Sequence, residues 1–200
     1  DSSSNPEDFG YTTFAFDITN PDVHKNLCVE YLLDGNGMDT SGNDNHALLT
    51  PGNFVTDRFG NRRQAYGYPD SSDTIEITYP LNSNDITITM WFFYDSTDGD
   101  YISLASDASG AYHHIIIEQA TREIGFFNQA WYSSGAALET GNWYHIAAVK
   151  DYSQSKLYLN GRLIQESCDG FNNEDFPLSH IGTIINPLSA GGIGNIDDIK

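Results

Sequence analysis

The run "ITITMWFFY" at residues 86–94, with its counterparts along the chain, sets the strongest limit on what this sequence can fold into. Alternating or continuous β-branched and aromatic residues recur at 74–78 ("TIEIT"), 101–105 ("YISLA"), 112–119 ("YHHIIIEQ"), 123–128, 143–150 ("WYHIAAVK"), 155–160 ("SKLYLN") and 162–166. Such runs suit a pleated strand, whose successive side chains face opposite ways, rather than the period of an amphipathic helix. Helix is therefore expected to be minor. Clusters such as "DSTDGD", "DASGA", "SSGAALETGN" and "LNGR" separate the runs and read as turns. In "YLNGRLI", Asn160-Gly161 between apolar runs predicts a two-residue type I′ hairpin, a turn that needs positive φ at both positions. Many short antiparallel strands without crossover helices predict an all-β fold. Two antiparallel sheets would pack as a jelly-roll sandwich, with the core on alternate residues.

A chain of 200 residues can bury one substantial core. A single domain is expected over residues 9–200, after an acidic, Ser-rich lead-in at 1–8 ("DSSSNPED") that reads as disordered or as a linker. The 28 acidic against 9 basic residues, net −19, exclude a basic footprint for nucleic acid and disfavour anionic membranes. No apolar run is long enough to predict a membrane-spanning helix. The same acidity suits a salty or extracellular setting, or carboxylates gathered around divalent cations. The absence of an N-x-[ST] sequon favours a bacterial source over a secreted animal one. Cys28 and Cys168 lie in no CxxC motif. They leave two readings open, one disulfide across a long loop in an oxidising compartment or two buried thiols.

The pieces "EYLLDGNGMDTSGNDNHALL", "TDRFGNRRQAYGY", "SDTIEI", "DITITMWFF", "TGNWYHIAAVKD", "KLYLNGRLI" and "GGIGNIDDIK" follow one another over residues 28–200. In that order and spacing the sequence resembles the laminin G-like, concanavalin A-like jelly rolls of the lectin/glucanase superfamily, in their bacterial form. Trp91 and Trp143 read as large core fillers of two buried strands. Residues 9–27 stand outside the pattern and are expected to add an edge strand or to cover part of a sheet.

The stretch "DGNGMDTSGNDNH" is dense in oxygen-bearing side chains, and calcium takes six to eight oxygen ligands. It is no EF-hand loop, because counting from Asp39 the sixth position is Asp44 instead of Gly and the twelfth is Thr50 instead of Glu. The resemblance implies a structural calcium ion here, with Asp34, Asp39, Asn43 and Asp197 as side-chain ligands. Such an ion would clasp the two ends of the sandwich. The alternative is an irregular turn, which uses the same residue types.

The fold class hosts hydrolases, lyases and binding modules, so fold alone does not give function. The E-x-D-x-x-E pattern of glucanase relatives is approached in "SSDTIE", but Ser71 stands where a nucleophilic carboxylate would be. A lyase would draw on Tyr112, His113, His114 and Gln119, and strand alternation puts Tyr112 with His114 on one face and His113 with Gln119 on the other. A sugar-binding module would use "NQAWYSSG" as a loop beside the Tyr112 run. Tyr112, His113, Asn128, Trp131 and Tyr132 are then the candidate ligand residues, the aromatic rings stacking on sugar and the polar groups bonding hydroxyls. The expectation is a secreted or cell-surface lectin- or adhesin-type module, non-catalytic, with a glycan or a cell-surface protein as partner. A lyase or hydrolase and a structural spacer of a large adhesin are the alternatives.

Overall fold

In a computed structural model of the protein, "ITITMWFFY" forms one strand that buries Ile88, Met90, Phe92 and Tyr94 and leaves Trp91 and Phe93 half-buried on its other side. The structure describes residues 26–200 apart from 51, 70–72, 82–84, 96–98, 109–111, 129, 152–153, 168–176 and 186–193. The expectations for residues 1–8 and 9–27 and for Ser71 and Cys168 therefore fall outside the described residues, save for the last two of 9–27.

Among the described residues every regular element is a strand. The chain begins with β1 (Ala47–Leu49), β2 (Asn53–Val55), β3 (Ala65–Tyr68), β4 (Ile75–Leu81) and β5 (Ile86–Tyr94). It continues through β6 (Tyr101–Ser106), β7 (Tyr112–Glu118), β8 (Glu123–Asn128), β9 (Trp131–Ala137) and β10 (Asn142–Asp151). The last four are β11 (Gln154–Leu159), β12 (Arg162–Ser167), β13 (Leu178–Ile185) and β14 (Gly194–Asp197).

They form two seven-stranded antiparallel sheets, ordered β1-β4-β13-β6-β7-β8-β9 and β12-β11-β10-β5-β14-β3-β2. The chain changes sheet between β1 and β2, β3 and β4, β4 and β5, β5 and β6, β9 and β10, β12 and β13, and β13 and β14, which makes the architecture a two-layer sandwich. Its core lies between the sheets, where Phe92, Tyr94, Met90 and Ile146 of the second meet Ile102, Leu104, Ile117 and Phe126 of the first. Each such side chain contributes about 1.5–3 kcal/mol by leaving water. The hairpin at Asn160-Gly161 has φ of 50° and 78°, as a type I′ turn requires.

Two expectations about strands are corrected. Trp91 and Trp143 are not core fillers, since both lie on the outward face of the second sheet, where the ladder pairs Trp143 with Phe93 and His145 with Trp91. In β5 both faces are apolar, so alternation marks two faces without telling which is inward. The expected turn "SSGAALETGN" is in its first half strand β9, an edge strand. Its small residues need only hold the ladder, and the Ser134 hydroxyl adds a 2.6 Å bond to the Ile124 carbonyl.

The chain's early and late segments close on each other. Tyr31 and Ile199 exchange two backbone hydrogen bonds of 2.9 Å, Thr89 and Lys200 exchange two more of 2.9 and 2.7 Å, and the Lys200 ammonium meets Glu30 at 2.8 Å. Tyr31 also bridges to Asp39, which ties the polar loop to the same corner. Cys28 lies beside this corner as an exposed free thiol.

Candidate functional site

Strands β6 to β9 turn alternate residues outward, and cross-strand partners share a face. Three rows result. Tyr101 pairs with Glu118, and Glu118 with Glu123; Ser103 pairs with Ile116, Ile116 with Gly125 and Gly125 with Ser133; His113 pairs with Phe127, and Phe127 with Trp131. Gly125 decides the shape of this face. A Cβ at that position would come within 2.8 and 2.9 Å of Cη2 and Cζ3 of Trp131, so the missing side chain is the seat on which the indole lies. Tyr101 meets the same indole edge-on, with ring centroids 6.0 Å apart and planes at 62°. Trp131 is thereby held half-buried, one part of its ring against the sheet and the rest open.

Polar groups share this face with the ring. Glu118 accepts hydrogen bonds from the Tyr101 hydroxyl at 3.3 Å and from Thr121 Oγ1 at 2.7 Å, and Glu123 accepts one from the Ser133 hydroxyl. Burial, followed by the charge of Glu118, raises the Tyr101 pKa, so its hydroxyl stays a neutral donor. Ser103 and His113 are hydrogen-bonded at 2.8 Å beneath the surface and brace the far side of the row. An aromatic platform rimmed by carboxylates and hydroxyls suits a ligand with apolar C–H faces and many hydroxyls.

Of the expected ligand residues, the structure puts His113 and Trp131 on one face, while Tyr112, next to His113 along β7, turns to the other. Tyr112 is opposite Asn128, and His113 is joined to Trp131 through Phe127. His113, only 2% exposed, supports the face rather than contacting a ligand. Tyr132 is a correction: as the next residue along β9 it faces inward and packs on the core. The stretch from Trp131 is a strand, not a loop. Alternation also fails within β7, because the ladder shifts register between His113 and Ile116. His114 consequently faces the interior beside Phe126 and Lys150, and Gln119 turns inward to accept a 2.6 Å bond from the Tyr94 hydroxyl. Sequence reasoning missed Tyr101, Glu118, Glu123 and Gly125. The glycine inside "EIGFF" was the available signal.

A family model described as the concanavalin A-like lectin/glucanases superfamily matches residues 68–198. The chain belongs to that superfamily. No curated protein matches it in sequence. Among solved structures, it is similar to domain 4 of AbnA, a GH43 extracellular arabinanase from Geobacillus stearothermophilus, in complex with arabinotriose. That match has 17% identity and a TM-score of 0.61 and covers 86% of this chain and 89% of that one. The Trypanosoma rangeli sialidase matches with 14% identity and a TM-score of 0.62 over 86% of this chain and 29% of its own. The binding domain of botulinum neurotoxin serotype G matches with 14% identity and a TM-score of 0.58 over 86% of this chain and 46% of its own. The likeness at these identities is one of fold, and the chain spans less than half of the sialidase and of the toxin domain.

The calcium clasp expected of this superfamily member can be tested on its donors. Both oxygens of Asp39 already accept two hydrogen bonds each: Oδ1 from the amides of Glu30 and Ser41, Oδ2 from the Ser41 hydroxyl and the Asn45 amide, all at 2.9–3.0 Å. Burial would raise the Asp39 pKa, but these donors outweigh it and hold it below the ordinary range. Asn43 turns its amide nitrogen, not its oxygen, to the carbonyls of Leu27 and Cys28. Asp34 is exposed and offers the loop its carbonyl, which accepts from Asn36. Asp197 is ion-paired with Arg58, whose second nitrogen meets Asp198 at 2.6 Å. Those four residues do not fit a calcium ion as arranged, and the guanidinium supplies the positive charge at the late end of the clasp. Among the described residues no group of three His, Cys, Asp or Glu is set to hold a metal.

The outward face of the second sheet is the other place where aromatic rings gather. Phe93 and Trp143 stand 5.5 Å apart on one rung, and Trp91 and His145 stand 5.2 Å apart on the next. Arg58 lies over Trp91 at 4.8 Å and over Phe59 at 4.3 Å. Its loop is shaped by Asp57, which accepts from the amides of Phe59 and Asn61 and from the Asn61 side chain.

Proposed function

We propose that this domain recognises glycans without cleaving them, as a lectin- or adhesin-type module of a secreted or cell-surface protein, with a sugar ring stacked on Trp131. The observation that carries this reading is the indole seated on Gly125 and flanked by Tyr101, Glu118 and Glu123. A platform with that rim binds the C–H face of a sugar through the ring and its hydroxyls through the carboxylates. Membership of a superfamily named for lectins and glucanases supports it, as does the arabinotriose bound to the similar arabinanase domain. The test is a glycan and polysaccharide screen that includes arabinotriose, followed by titration of Trp131→Ala on each hit. The expected loss is about tenfold or more in affinity with the fold intact by circular dichroism. Hits whose affinity is untouched by Trp131→Ala would overturn this site.

One observation favours a second reading, glycoside hydrolysis. Glu118 and Glu123 are direct partners across β7 and β8, which places their Cβ atoms about 4.5–5.5 Å apart. Retaining glycosidases work through a pair of neighbouring carboxyl groups. New reducing ends released from arabinan or laminarin, and abolished by Glu118→Gln, would establish it. Binding without release is the outcome expected here.

A further inference from the structure

We infer that the outward face of β5 and β10 is a second saccharide-binding face, built for a neutral linear glycan and distinct from the Trp131 platform. This inference rests on the glycan-binding reading and extends it to the opposite side of the sandwich. The two aromatic rungs, Trp91 with His145 and Phe93 with Trp143, are two residues apart along β5. At about 3.3 Å per residue they stand about 6.6 Å apart, two successive stacking positions along one chain of sugars. All four side chains are half-buried on the outward side, their rings in pairs, with Arg58 over Trp91. Phe59, 72% exposed, extends the apolar strip beyond Arg58.

Charge selects the class of ligand. Arg58 is answered by Asp197 and Asp198, and Lys156 by Glu166 at 3.2 Å, so the strip offers an anion no unanswered cation from these residues. Burial and the neighbouring Arg58 hold the His145 pKa below its usual value, which keeps that imidazole neutral at pH 7. A chain of net charge −19 repels anionic polysaccharides as well. Uncharged hydrogen-bonding groups remain: His145 on its rung, Asn195 beside Phe93 in the ladder, and Tyr158 beside Ala147.

The test labels the three tryptophans with 5-fluorotryptophan and follows their ¹⁹F signals, assigned through single Trp→Phe variants. Arabinotriose, cellotriose and laminaritriose serve as neutral probes and trigalacturonate as the anionic one. The expected result is that Trp91 and Trp143 shift with at least one neutral trisaccharide and stay still with trigalacturonate. Trp143→Ala should weaken that response about tenfold and leave the Trp131 response unchanged. Movement of Trp131 alone would overturn the second face and leave the proposed function standing. Movement of Trp91 and Trp143 alone would support the second face and remove the Trp131 site. Stillness of all three would overturn both, and equal response to trigalacturonate would overturn the neutral class.

Discussion

The two outward faces of the sandwich solve the display of aromatic rings in different ways. On β6 to β9 a glycine vacates space so that Trp131 lies over the sheet, and carboxylates stand at its edge. On β5 and β10 no residue is vacated; rings pair across the ladder and Arg58 props them, its charge taken up by two aspartates. The first face carries its charges as hydroxyl-bonded carboxylates on the sheet, and the second pairs the guanidinium that lies over Trp91 with two aspartates. Aromatic residues on a sheet surface thus belong to the sheet's stability in proportion to what holds them, and they are available to a ligand in proportion to what is left uncovered.

Substitutions in β5 measure that division most strongly. Phe92→Ala is expected to cost about 3–5 kcal/mol in a denaturant titration, because it empties a fully buried position. Its neighbour Trp91→Ala should cost less than half as much. Equal losses would place Trp91 in the core after all.

Next in size is the arginine that lies over Trp91. Arg58→Met leaves Asp197 buried without its partner, and about 2–3 kcal/mol is expected at pH 8, below the full cost of a wholly buried pair because the arginine is 16% exposed. The loss should shrink at pH 5, where Asp197 can take up a proton. A chelator, in contrast, is expected to leave the melting temperature of the wild type unchanged, and a drop on chelation would restore an ion to the clasp.

The smallest effect is the pH profile of the wild type. Burial and the adjacent Asp198 charge push the Asp197 pKa up to about 7 against the pull of Arg58. A raised carboxyl pKa means the folded state binds the proton more tightly, so stability declines as pH rises from about 4 through 7. Asp39 and Asp57 have lowered pKa values: burial opposes the shift, and backbone and side-chain donors produce it. Their contribution is present above about pH 4 and is lost as pH falls below that. The melting temperature should therefore peak between these limits, with Asp197→Asn flattening the alkaline limb and Asp39→Asn the acid one.

The sandwich was legible because its long strands carry their own period and Asn160-Gly161 its own turn. The short strands were not: Ala47–Leu49 and Asn53–Val55 are too brief to show a period, and Ser133–Ala137 too small-sided to look like strand. At the candidate site the sequence pointed to Trp131 and to His113 on the same face, but also to Tyr112, which lies on the other. It could not show that Tyr132 turns away, that a register shift reverses Gln119, or that Tyr101 arrives from another strand. The most misleading residues were Trp91 and Trp143, since large apolar side chains in an apolar run look alike whichever way they face.

The closing corner has a mechanical consequence. Tyr31 and Ile199 run antiparallel, with Glu30 against Lys200 at one end of the pair. Force applied at residues 28 and 200 would pull from that one end. It would peel the contacts in sequence, like a zip, instead of shearing them together. Pulled at those two residues, the corner opens rung by rung while the ladder of β5 and β10 still holds.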